Sequence, residues 1–202
     1  MKQATLFAVF IAAAHFSFAN NNSSQKIYSD TTSQVIPEAK EMLSEIMSVT
    51  GLQSNFELKE ADVLNIEASI SHRKRYILYN PSFISQINNV TKNKWAAMFL
   101  LAHEVGHHLN GHTIMKGGST PELELEADQF AGFVLYKLGA SLQQAQEVMK
   151  YIAKTEDSRT HPARSSRMLA IQTGWDKAAK TEGAVLTAKN STVDLADKKA
   201  RN

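Results

Sequence analysis

Residues 101–109 read Leu-Ala-His-Glu-Val-Gly-His-His-Leu, and the pair His103 and His107 with Glu104 between them constrains the chain more than any other feature. The apolar residues Trp95, Met98, Phe99, Ala102, Val105 and Leu109 recur at spacings of three and four, so about Thr91 to Asn110 is expected as a helix with one buried face, ended by Gly111. Four helical residues rise about 6 Å and turn through about 400°, which stacks His103 and His107 on one side. Their imidazoles can then aim at one ion, at a separation suited to Zn²⁺ with Zn–N bonds of about 2.0–2.1 Å. Glu104 projects about 100° from His103, beside the ion, where a carboxylate can take a proton from water. The alternative without a metal is two satisfied core histidines beside a surface glutamate.

Two histidines do not hold a catalytic zinc, which takes three protein ligands and keeps one open position. A continuation with Gly three residues after the second His, and a third His three further on, would supply one. Asn110 and Thr113 occupy those positions and exclude it. The next helix is expected from Pro121, with Pro at its start and acids in its first turn, and Glu122, Glu124 and Glu126 compete there. Glu124 and Asp128 are four apart and share a face, which suits a ligand with a carboxylate partner for a metal-bound imidazole, His103 being the expected recipient. Glu126 stays open as a fallback ligand; Glu122 and Glu126 otherwise read as solvated helix-face acids.

The combination of His103-Glu104-x-x-His107 with Glu124-x-x-Ala127-Asp128 on the next helix, followed by His161-Pro162 and Arg167, resembles the gluzincin metallopeptidases of the HtpX and CAAX-prenyl-endopeptidase type. The motifs occur in the family's order over roughly residues 65–168. The resemblance implies an α+β fold, a mostly helical zincin-like domain with a small antiparallel sheet before the metal helix. It implies one Zn²⁺ held by His103, His107 and Glu124, with Asp128 supporting a ligand and Glu104 as general base. His161 is implied to stabilise the oxyanion, a role worth a few kcal/mol, while its local alternative is a residue preceding a helix that starts at Pro162. Arg167 is expected to grip a carboxylate of the site or a structural acid in two-pronged fashion, and Arg164 to face solvent. His108, rotated about 100° from His107, should point elsewhere; His112 reads as a surface or capping residue, and His72 as part of a solvated basic turn.

The rest of the chain sets the context. With 202 residues and 43% hydrophobic content it is long enough for one globular domain, and a formal charge of +2 gives no electrostatic case for nucleic acid as a partner. The absence of cysteine excludes disulfides, thiolate ligands and a cysteine nucleophile. Lys2, the apolar run Ala4–Phe18 and Ser17-Phe18-Ala19 read as a signal peptide over 1–19, too short to span a membrane, so the protein is expected to be exported, periplasmic or secreted, without a transmembrane anchor after cleavage. Residues 20–34 are expected to be loose, 35–174 to form the metallopeptidase domain and 175–202 to be a polar, mobile tail. Within the domain, Pro37–Val49 reads as an amphipathic helix, Phe56–Leu58, Asn65–Ile70 and Tyr76–Tyr79 as extended segments, Ser141–Lys154 as a helix, and Pro162–Thr173 as another. Asn65–Ile70 is the candidate for an exposed edge over the metal that pairs with a peptide.

The expected function is a zinc-dependent endopeptidase of exported or extracytoplasmic proteins, with a polypeptide substrate recruited by the cleft or by an accessory protein. The rival is a latent zinc-binding interaction or chaperone-like protein with little proteolytic activity, its open metal position filled by His161. An intact Glu104 weighs against the rival, since binding alone needs no base there.

Overall fold

The computed structural model describes residues 32–115 and 118–200, and side chains for 38–115 and 118–185. The signal-peptide reading of 1–19, and residues 20–31 of the expected loose segment, lie outside the described residues. The order is α1 (Thr32–Thr50), β1 (Glu57–Glu60), β2 (Ile66–Ser71), β3 (Lys74–Tyr79), α2 (Pro81–Thr91), α3 (Lys94–Leu109), a 3₁₀ turn (His112–Ile114), α4 (Pro121–Lys137), α5 (Leu142–Gln146), α6 (Met149–Ile152) and α7 (Arg164–Ala200). The architecture is α+β, mostly helical with one small three-stranded mixed sheet. Among the described residues no helix is long and apolar enough to cross a membrane.

The centre is α3. Its apolar periodicity predicts one buried face, yet every residue from Ala96 to His108 is buried, because α1, α2, α4, α5 and β2 all pack around it. A helix enclosed on every side buries its polar side chains as well. His103, Glu104, His107 and His108 therefore sit in the core, where each needs a partner or an ion.

The sheet has the order β1-β3-β2. The hairpin of β2 and β3 is antiparallel, with His72 (φ 49°) and Arg73 (φ 66°) both left-handed in its two-residue turn, the geometry that matches strand twist. The pair β1 and β3 is parallel, which corrects the expectation of a purely antiparallel sheet. Side-chain alternation reports which face a strand buries and carries no signal about the direction of its neighbour. With β3 in the middle, β2 keeps a free edge, and that edge lies against α3.

Three other departures bear on the site. Asn80 caps α2, its Oδ1 accepting from the Ser82 amide at 2.9 Å, and Pro81 opens the helix; no helix was expected there. The expected helix Ser141–Lys154 is two short helices. Lys150 N–H and Tyr151 N–H bond to Glu147 and Val148 carbonyls three residues back, a tightening that turns consecutive Val148 and Met149 both into the core. The segment expected as a tail from Trp175 instead continues α7 to Ala200. Its first part is packed: Ala178 is buried, Trp175 Nε1 donates to the Ala140 carbonyl at 2.9 Å, and the Trp175 ring meets Tyr136 edge-on. Gly174 lets α7 lie directly on the α4 backbone, since a Cβ there would run into Gln129 and Phe133. A packed first half nucleates a helix that a charge-rich sequence would not start alone.

Candidate metal centre

Helix α3 carries His103 and His107 four residues apart, and their Nε2 atoms face each other at 3.1 Å. Helix α4 packs closely enough to reach them because residue 106 is glycine; a Cβ there would press on Phe130 and the Ala127 backbone. Glu124, on the first turns of α4, places Oε2 3.4 Å from His103 Nε2 and Oε1 3.5 Å from His107 Nε2. A tetrahedral ion with bonds of about 2.05 Å holds its ligand atoms about 3.3 Å apart. The separation of the two rings, and the approach of one Glu124 oxygen to each of them, lie near that edge. All three residues are fully buried, and the Oε2 of Glu124 and the Oε1 of Glu104 have no hydrogen-bond partner. Buried orphan oxygens beside two facing imidazole nitrogens fit a cation, and this group can hold a metal ion.

Charge in the metal-free site is settled by these contacts. Burial disfavours a charged His103, but Asp128 and Glu124 beside it outweigh that and push it up to about 10. Burial would raise Glu124, and His103 instead holds it down to about 2. Burial, then the His103 charge, pushes His107 down to about 2. One proton on His103 thus occupies the place of a cation, and an incoming metal must displace it.

Glu104 lies beside this group and across from the sheet. Its Oε2 accepts from the Ala68 amide on the free edge of β2 at 2.6 Å. Burial raises its carboxyl to about 8, so without a cation it keeps its proton at neutral pH. The strand read as an exposed edge is therefore the edge that meets Glu104, but Ile66 to Ser69 are buried rather than exposed.

Asp128 and Arg167 form one unit. Arg167 Nε and Nη2 donate to Asp128 Oδ2 and Oδ1, both at 2.7 Å, and Asp128 Oδ1 lies 2.9 Å from His103 Nδ1 in a buried ion contact. Of the two expectations for Arg167, this is the structural acid, gripped with both prongs. Arg164, expected to face solvent, donates Nε and Nη2 to the Ala153 carbonyl at 3.0 and 2.8 Å. His161 lines a small cavity with Pro162 and Arg167, its Nδ1 2.8 Å from Thr160 Oγ1. The helix that follows begins at Arg164 rather than Pro162.

His108 turns to the sheet: its ring stacks on Phe56 with centroids 5.0 Å apart, Nε2 lies 2.8 Å from the Tyr76 carbonyl, and burial pushes it down to about 4. His72 is exposed at the hairpin turn. His112 is a correction. Expected as a surface or capping residue, it is 5% exposed, with Nδ1 3.0 Å from His107 Nδ1 and Nε2 3.1 Å from Glu126 Oε2. Glu126, a fallback ligand in the sequence, reaches His112 and is not in the metal group. Ser119, which sequence reasoning missed, donates its hydroxyl to Glu124 Oε1. Glu122 is exposed on the same helix.

Comparison of the chain with protein-family models, with curated proteins and with solved structures found no match.

Proposed function

We propose that the protein is a zinc-dependent endopeptidase of the gluzincin type, with a zincin-like catalytic domain, acting on exported or extracytoplasmic polypeptides. The observation that carries this is the arrangement of His103, His107 and Glu124 at tetrahedral-edge distances, with the unpartnered carboxyl oxygen of Glu104 on the same helix. Two imidazoles and one carboxylate, leaving a position open, are the ligand set of catalytic zinc. The resemblance of the His161-Pro162 and Arg167 segment to that family supports the reading, as does the signal-like N-terminus for export. A cation held there supplies, when bound, the Lewis acidity that polarises a scissile carbonyl and the positive charge that acidifies water and the Glu104 carboxyl.

The protein's own groups do the remaining work. Glu104 takes the proton of the attacking water and passes it to the leaving amine. The Ala68 amide at the β2 edge orients Glu104 for that transfer. His161 donates to the oxyanion. A second reading, a latent binding protein, is favoured by one observation: His103, Glu104, His107 and Glu124 are each 0% exposed.

One experiment separates the two. Zinc content and cleavage of an unfolded model protein are measured for the chain and for Glu104→Gln. About one zinc in both, with cleavage only by the parent, is expected. Cleavage by a zinc-loaded Glu104→Gln sinks the general-base assignment, and zinc in both with cleavage by neither gives the latent reading.

A further inference from the structure

The contacts of His107 differ from those of an ordinary core histidine. Its Nδ1 faces a second imidazole nitrogen, His112 Nδ1, at 3.0 Å. Two such nitrogens can meet only if one carries hydrogen and the other a lone pair. The far side of His112 decides which, because Glu126 accepts there and an ionised carboxylate cannot donate. In its uncharged form His112 then has its hydrogen on Nε2 and its lone pair on Nδ1, and His107 donates Nδ1–H into it. The lone pair of His107 is left on Nε2, the atom aimed at His103 and Glu124.

We infer that His112 and Glu126 form an orienting relay that fixes the tautomer and ring position of His107 for metal binding, so that both are positioning residues. The fold supports this independently of any ion. Gly111 takes a left-handed conformation (φ 78°) and turns the chain back after α3, which brings His112 under His107 in the 3₁₀ turn. Helix α4 then supplies the acceptor. Glu124, Asp128 and Glu126 of this one helix thereby serve as ligand, as partner of His103 and, through His112, as partner of His107. Outer partners of this kind change metal affinity by about 10–100-fold.

The inference rests on the metal-binding part of the proposed function, and the test keeps the two apart. The full metal-free chain is titrated with Co²⁺, followed by its visible absorption, and with Zn²⁺ against a chromophoric chelator. His112→Ala removes a buried side chain and can fail to fold, so the decisive variants are at Glu126, whose side chain is 58% exposed. Glu126→Gln keeps an acceptor for His112 Nε2–H and is expected to bind within about threefold of the parent. Glu126→Lys puts a donor there, drives the hydrogen of His112 to Nδ1 against His107, and should weaken binding about tenfold and alter the Co²⁺ spectrum. Glu122→Lys makes the same charge change at an exposed position of the same helix and should match the parent. Equal affinities for Glu126→Lys and Glu122→Lys overturn the relay while leaving the metal site standing. A parent chain that binds neither ion overturns both.

Discussion

The two histidines of α3 are held by two arms of opposite character. The His103 arm is a buried charge network: Asp128 is fully buried, Arg167 is 1% exposed, and the guanidinium grips the carboxylate through two hydrogen bonds. The His107 arm runs through the His112 imidazole to Glu126, whose side chain is 58% exposed. Both place a hydrogen-bonding group behind a ring nitrogen, yet water can replace the last partner in only one of them. The difference teaches where the site stores its stability and where it only tunes an orientation.

The largest effect should come from breaking the buried arm. Arg167→Met leaves the buried Asp128 with His103 as its remaining charged partner and without its two guanidinium hydrogen bonds, which should cost about 3 kcal/mol, the low end for a broken buried pair, in urea unfolding of the metal-free protein. Asp128→Asn in the same background removes the carboxylate that has lost its guanidinium and keeps an oxygen near His103 Nδ1, so the double variant should recover part of that loss. A double variant as unstable as Arg167→Met would mean that the arm contributes by shape rather than by charge compensation.

Proton release comes next and sharpens the contrast between His103 and His107. His103, pushed up to about 10, is protonated at pH 7 in the metal-free protein, and Glu104, pushed up to about 8, keeps its proton too. His107 stays neutral and has none to lose from Nε2. Metal uptake at pH 7 should therefore release about two protons, one from each, and affinity should fall about 100-fold per unit as pH is lowered toward 6. Glu104→Gln should release about one and fall about tenfold per unit. Calorimetry in buffers of different ionisation enthalpy measures the count, and identical counts for the two proteins would remove Glu104 from the set of groups that titrate on binding. The stability sign follows from the same shift. A His103 raised above its usual 6.5 stabilises the metal-free fold fully below that pH, and the contribution is lost as pH rises through about 10.

What was legible in the sequence follows the same division. His103 and His107, and likewise Glu124 and Asp128, are four residues apart on helices, and helical periodicity alone puts each pair on one face. The grip of Arg167 on a structural acid was one of two readings that its chemistry allowed. His112 was not legible, because five residues on a continuing helix would turn it away from His107; only the left-handed Gly111 folds it back. Gly111 was visible as a helix end, but an end signal does not say where the chain goes next. The parallel pairing of β1 with β3 and the enclosure of α3 on every side are also tertiary properties, set by neighbours rather than by local pattern. The helical course of α7 past Trp175 was missed because its polar composition was read as solvation, whereas Trp175 and Ala178 anchor it on the fold.

The smallest effect tests the comparison at its weak end. If the His107 arm only orients a ring, removing the charge of Glu126 should leave the fold almost untouched. Glu126→Gln is expected to change the unfolding free energy of the metal-free protein by less than about 0.5 kcal/mol, the range of exposed ion pairs. The amide oxygen still accepts from His112 Nε2–H, so the buried nitrogens of His107 and His112 keep their pairing. A loss of more than about 2 kcal/mol in urea unfolding would place this arm with the buried one, at the cost seen when a charge is removed from a paired interior site. Both histidines would then be clamped by structural charge, and the distinction between a storing arm and a tuning arm would not survive.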